Sequence, residues 1–198
     1  EWKEFLVINL FKIERGKRLI ASNRIKGDTP LITAGFKNEG VTELIRNKEQ
    51  KSFSNSITID MFGNVFYREY EFKCDDNIHI LINTAITKFN GNFISGCLKK
   101  STKNIFSYGK QFRLKTLEKQ KILLPINSQS EPDYKFMEAY MREKEHEKAE
   151  TYKNYISKRV KDLENTKNVV SLVKKDWGEF QINQIFKIKS GKRLTKSD

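Results

Sequence analysis

The chain has 198 residues, with 38 Lys and Arg against 25 Asp and Glu and a formal net charge of +13. Hydrophobic residues make up 37% and aromatic residues 12%, too many for a disordered chain, and the length allows one domain of about 100–150 residues plus an addition. No run approaches the roughly 18 apolar residues of a membrane span, and Glu1-Trp2-Lys3-Glu4 lacks the order of a signal peptide, so neither membrane insertion nor secretion is expected and a cytoplasmic location is. Cys74 and Cys97 form no CxxC pair, and His79 and His146 lie far apart, so neither a metal site nor a disulfide framework is expected.

In chain order, short apolar runs alternate with turn signals up to Leu124: Phe5 to Ile13 before Gly16, Leu31 to Ala34 before Gly35, Ser56 to Phe62 before Gly63-Asn64, Val65 to Phe66, Ile78 to Ile82, and Ile122 to Pro125. Their Ile, Val, Thr and Phe content predicts strands of a mixed sheet. Residues 56–60 and 65–67 read as two strands joined by a Gly-containing turn. Ile78 to Phe89 is open between strand and strand followed by helix.

Positive charge concentrates between Lys99 and Lys121. Lys99, Lys100, Lys103, Lys110, Arg113, Lys115, Lys119 and Lys121 face one acid, Glu118. Phe106, Tyr108 and Phe112 are interleaved with them, and Asn104 and Gln111 add groups suited to phosphates and base edges. A polyanion is the natural partner, although a solvated lysine-rich surface has the same composition.

Pro132 changes the texture. It is placed as the first helical residue, with Asp133 in the first turn, and no further Pro or Gly occurs until Gly178. One long helix is predicted to about Asn168, supported by Glu138 and Arg142 four apart and by Glu145–Lys148 and Glu150–Lys153 three apart. Met137, Tyr140, Met141, Tyr152, Tyr155, Ile156, Val160 and Leu163 recur at three and four, a stripe that calls for a helical partner. A helix folded back on its own domain is the competing reading.

Sliding the chain on itself by 175 positions aligns Glu1–Asn23 with Asp176–Asp198. Trp2/Trp177, Phe5/Phe180, Phe11/Phe186, Gly16/Gly191, Lys17/Lys192 and Arg18/Arg193 are among the identities, which number 11 of 23. That period is far beyond the 20–50 residues of solenoid repeats and indicates a duplicated domain.

The order Trp2-x-x-Phe5, Leu10-Phe11-x-Ile13-x-x-Gly16-Lys17-Arg18, Gly27-Asp28-Thr29-Pro30, Asn38-Glu39-Gly40-Val41, Ile57-Thr58-Ile59-Asp60-x-x-Gly63-x-x-Phe66-Tyr67, Leu124-Pro125 and Pro132-Asp133 before a long helix resembles the specificity (S) subunits of type I restriction-modification systems. The resemblance implies an α+β fold: a mixed-sheet target recognition domain over 1–131, a long spacer and dimerisation helix over 132–170, and a linker with the beginning of a second recognition repeat over 171–198. It further implies a non-catalytic subunit that reads one half of a bipartite double-stranded DNA site and docks methyltransferase subunits, with methyl donor and ATP bound by those partners and no cofactor here. Since the second repeat breaks off after Gly191-Lys192-Arg193, a homodimer coiled coil is expected in place of pairing within one chain.

Candidate DNA contacts are Lys17 and Arg18, Lys37 and Asn38 in the loop 33–40, and Lys99, Lys100, Lys103, Asn104, Tyr108, Lys110 and Arg113, the last group pictured as a basic loop along the duplex. Lys17-Arg18 has a structural alternative, and 33–40 has a plain glycine-rich turn. Two rival classes stand beside this reading. Asp60, Glu71 and Lys73 have the spacing of a Mg-dependent endonuclease site, whereas the resemblance makes Asp60 a turn residue bonding backbone. RNA binding shares the basic and aromatic features but lacks a stacking cluster.

Overall fold

The computed structural model describes residues 1–164 and 175–191. Among the described residues ten strands form: β1 (Trp2–Leu6), β2 (Lys12–Arg15), β3 (Lys26–Ile32), β4 (Val41–Ile45), β5 (Ser52–Phe53), β6 (Ser56–Asp60), β7 (Val65–Arg68), β8 (Phe72–Cys74), β9 (Ile78–Ile82) and β10 (Lys121–Pro125). The helices are α1 (Val7–Leu10), α2 (Lys88–Thr102), α3 (Leu114–Leu117), α4 (Tyr134–Glu164) and α5 (Ile182–Ile185).

The strands assemble as an antiparallel sheet in the order β2-β9-β6-β7, a mixed sheet in the order β4-β3-β8-β5 with β3 and β8 parallel, and a β1-β10 pair. Every residue of β6 is buried because both of its faces are covered. Ile57 and Ile59 join the main core with Leu81, Ile94, Leu98, Phe112 and Ile122. On the opposite face, Thr58 meets Arg68, a fully buried cation whose guanidinium also donates to Tyr70 Oη and to the carbonyl of Glu39. Ile78 and Ile80 alternate with His79 and Leu81 and fill a second core with Ile32, Phe53 and Phe72. The period-2 pattern thus holds with both faces buried, one of them carrying the polar Thr58–Arg68 contact.

Three expectations change. The apolar run Phe5 to Ile13 is not one strand: a single helical turn, α1, separates β1 from β2, buries Val7 and lets each strand pair with a different partner, β10 and β9. Lys99 to Thr102 are not loop but the last turn of α2, which starts in a Thr87/Asn90 capping box. Asp133, not Pro132, opens the long helix: its Oδ1 accepts from Phe136 N at 2.9 Å, and Pro132 lies outside the helix, bridged to Ile126.

The contacts divide the chain into two units, Glu1–Thr151 and Tyr152–Asp198, with the first half of α4 in the first unit. Met137 is fully buried in the main core, Tyr140 meets Phe93 of α2 edge-on at 5.7 Å, and Arg142 lies 3.9 Å from the centroid of the Phe89 ring. The Glu138–Arg142 pair forms at 2.7 Å, and Glu145 meets Lys88 of α2 at 3.4 Å, not Lys148. The stretch predicted as helix beyond Glu164 lies outside the described residues.

In the second unit, α5 reproduces α1 at an offset of 175. Leu6 and Gln181 precede the two turns at φ/ψ −69/131 and −71/140, and Phe11 and Phe186 follow them at −133/140 and −124/137. Phe11 N donates to Val7 O, and Phe186 N to Ile182 O. Lys192 and Arg193 of the repeat lie outside the described residues.

Candidate nucleic-acid interface

The β6–β7 turn, residues 61–64, organises the basic face. Asp60 closes it with both carboxylate oxygens: Oδ1 accepts from Phe62 N at 2.8 Å and Asn64 N at 2.9 Å, and Oδ2 from Asn64 Nδ2 and Gly35 N, each at 2.8 Å. The last bond fastens the loop 33–40 to the turn. Gly63 has φ +77 and no room for a side chain, since a Cβ would stand 2.8 Å from the Phe106 ring. Its carbonyl accepts from Thr102 Oγ1 at 2.8 Å, which ties the end of α2 to the same turn.

Two segments 63 residues apart, at Phe36 and Lys99, thereby meet. Phe36 is 63% exposed, with its ring 6.0 Å from that of Phe66 and the Lys99 ammonium 5.2 Å from its centroid. Phe36, Phe62, Gly63, Asn64, Lys99 and Lys100 line an open cleft of about 680 Å³ with Lys103 and Asn104 at its edge. Lys37 and Asn38 follow Phe36 in the loop; Asn38, Glu39 and Asn104 all adopt left-handed backbone, at φ 49, 53 and 60. Tyr108, 80% exposed, and Lys110 project from a tight turn closed by Ser107 and Lys110. Arg113 follows, just after Phe112, whose N donates to Met61 O at 2.8 Å. Lys99, Lys100, Lys103, Lys110, Arg113 and Lys115 make no ion pair among the described residues.

The geometry removes the nuclease reading. The four N–H groups on Asp60 occupy its lone pairs; Glu71 is exposed; Lys73 Nζ is buried and donates to the carbonyls of Asn47 at 2.8 Å and Gln50 at 2.9 Å. These three side chains do not converge on one point where a metal would sit.

The sequence profile described as "Type I restriction modification DNA specificity domain" matches residues 1–154. The chain belongs to this family of specificity domains. A curated relative, described as "Type II restriction enzyme BgcI specificity subunit S.BcgI" of Heyndrickxia coagulans, is 27% identical over 205 residues, covering 100% of this chain and 58% of the relative. The fold is that of the type I restriction-modification S subunit from M. genitalium, with a TM-score of 0.57 at 19% identity over 79% of this chain and 42% of the other. A structure described as showing the assembly and conformational transition of the type I R-M system gives the same TM-score at 15% identity, over 81% and 42%. The chain thus spans little more than half of that curated relative and less than half of those structures.

Within the specificity domain the remaining candidates are dispersed. Lys17 and Arg18 are exposed on the β2–β3 connection and do not line the cleft around Gly63. The Gly16 before them has a structural reason: a Cβ there would stand 2.1 Å from Asp75 O. Met137 is used inside its own domain, and Tyr140 and Met141 lie against α2. Tyr152, Tyr155, Ile156, Val160 and Leu163 are exposed. Sequence reasoning passed over Phe36; its place directly after Gly35 in a loop already under suspicion was the available signal.

Proposed function

We propose that this specificity domain reads one half of a bipartite double-stranded DNA site and performs no chemistry of its own. The observation that carries the reading is the junction of the loop 33–40 with the end of α2 across the β6–β7 turn, where Lys99, Lys100 and Lys103 stand without counter-ions among the described residues, around an exposed Phe36. Lys37, Asn38, Asn104, Tyr108, Lys110 and Arg113 extend the contact along the same loops, cations positioning the backbone and amides reading base edges. Lys17 and Arg18 belong to this reading as peripheral phosphate contacts. Duplex binding at graded salt tests it. If about six phosphates are met, the logarithm of affinity falls with a slope near −5, and Lys99→Ala or Lys103→Ala each lowers the slope by about 1. A slope near zero refutes it.

The exposed stripe from Tyr152 to Leu163 is the proposed seam for a second helix, supplied by a second copy of the chain, in a homodimer coiled coil. Docking of methyltransferase subunits and a location in the cytoplasm, where such partners and DNA meet, belong to the same reading. No helix among the described residues is long and apolar enough to cross a membrane. Sedimentation of a species at twice the chain mass is the expected result; a monomer at high concentration removes the seam.

A further inference from the structure

A second cleft opens on the other side of the same turn. The turn separates the two: Phe62, Gly63 and Asn64 face the cleft already described, while Met61 lines the second, a hollow of about 420 Å³. Its walls are largely apolar, from Ile13, Met61, Phe112 and Leu114, and this volume lies within the range of small-ligand sites. His79 also lines it. This side chain is 6% exposed, its ring stands 6.0 Å from that of Phe112, and its buried Nδ1 has no hydrogen-bond partner among the described residues. Burial, with Arg15 and Arg113 nearby, holds the imidazole down to about 4, so it is neutral and offers one N–H and one lone pair.

Charge at the mouth is positive after internal pairing is counted. Arg15 is engaged by Asp76, and Glu14 by Lys51 and Lys12. Arg113 and Lys115 have no carboxylate partner among the described residues. An apolar slot with one unsatisfied heteroaromatic group inside and two free cations at its lip is complementary to a flat heterocycle carrying a phosphate. A simple anion leaves the walls unused, and an apolar ligand leaves the cations unused.

We propose that this cleft binds a single nucleotide, its base against Ile13, Met61 and Leu114 with a polar edge toward His79, and its phosphate on Arg113 and Lys115. The nucleotide has two possible sources: one displaced from a duplex held on the neighbouring face, which rests on the DNA-reading function above, or a free mononucleotide, which does not.

The test uses the full chain and its two histidines. His146 is exposed on α4 and serves as the internal control for the His79 ring signals in NMR. Titration with dAMP is expected to move the His79 signals saturably at about millimolar affinity or better, with His146 still, and inorganic phosphate to bind at least about tenfold more weakly. Arg113→Ala, a surface change that leaves the core intact, should weaken dAMP about tenfold or more, the loss of a charge-assisted contact. A duplex with a one-nucleotide bulge that displaces dAMP, where the fully paired duplex does not, assigns the site to an extruded nucleotide; binding of dAMP that neither duplex displaces assigns it to a free one. The site still stands if dAMP binds but no duplex does, although the DNA-reading function then falls. Unmoved His79 signals, phosphate binding as well as dAMP, or an Arg113→Ala protein that binds dAMP normally overturns the proposal.

Discussion

Replacing Asp60 by Ala is the most informative single change to the fold. The substitution removes an acceptor of four N–H groups, three of them backbone, from Gly35, Phe62 and Asn64. A buried donor left without a partner costs about 1–3 kcal/mol, and in this partly buried setting water replaces some of the lost bonds, so a total loss of about 2–4 kcal/mol is expected. For a domain of this size that lowers the melting temperature by roughly 4–16 °C. Urea unfolding followed by circular dichroism measures it, with an unchanged m-value separating a stability loss from a change of the unfolded state. Hydrogen exchange adds a local readout, because the Gly35 amide loses its acceptor and should lose protection selectively. Asp60→Asn keeps one oxygen and should cost less than Asp60→Ala. The reasoning fails if Asp60→Ala unfolds within about 0.5 kcal/mol of the parent, the range of an ordinary surface change.

Gly16→Ala should destabilise by more than about 2 kcal/mol in the same urea assay, because the new Cβ would meet the Asp75 backbone oxygen at 2.1 Å and backbone cannot swing aside. His79 titrates well below an unfolded histidine, so the stability it contributes is intact above pH about 6.5 and declines as pH falls toward 4, since only the unfolded chain takes up the proton in that window; His79→Gln should flatten the decline by about 1–3 kcal/mol in unfolding measured at pH 4.5 and 7. Met137→Ala should cost about 2–5 kcal/mol of monomer stability, whereas Tyr155→Ala should leave monomer unfolding unchanged and weaken self-association in sedimentation.

The parts legible in the sequence are those governed by local rules. Ile57-Thr58-Ile59-Asp60-x-x-Gly63 read as a strand and a turn because a β-branched run ending at a turn glycine leaves few alternatives, and the backbone-bonding role of Asp60 came with the family resemblance. The long helix was readable from the absence of Gly and Pro between Pro132 and Gly178 and from its apolar spacing of three and four. Periodicity showed that Met137 and Tyr152 share a stripe but not that the first meets the domain's own core, since an apolar stripe does not name its partner. The turn α1 was hidden in an apolar run that reads equally as strand, and helical Lys99 and Lys100 were masked by Gly91 and Gly96 upstream. Phe36 and Lys99 were each visible, yet their meeting is a tertiary fact set by Asp60 and Thr102.

Asp60 grips its neighbouring loop through a main-chain amide alone, and Thr102 likewise holds a carbonyl of Gly63. Attachments that ignore side chains are indifferent to replacement at Phe36, Lys37 and Phe62, whereas Asn38 is held by its left-handed backbone and its own bond to the Val41 carbonyl. The architecture therefore separates the fastening of the reading loops from their chemical lettering, and new letters can be installed at those three positions without rebuilding the mount that presents them.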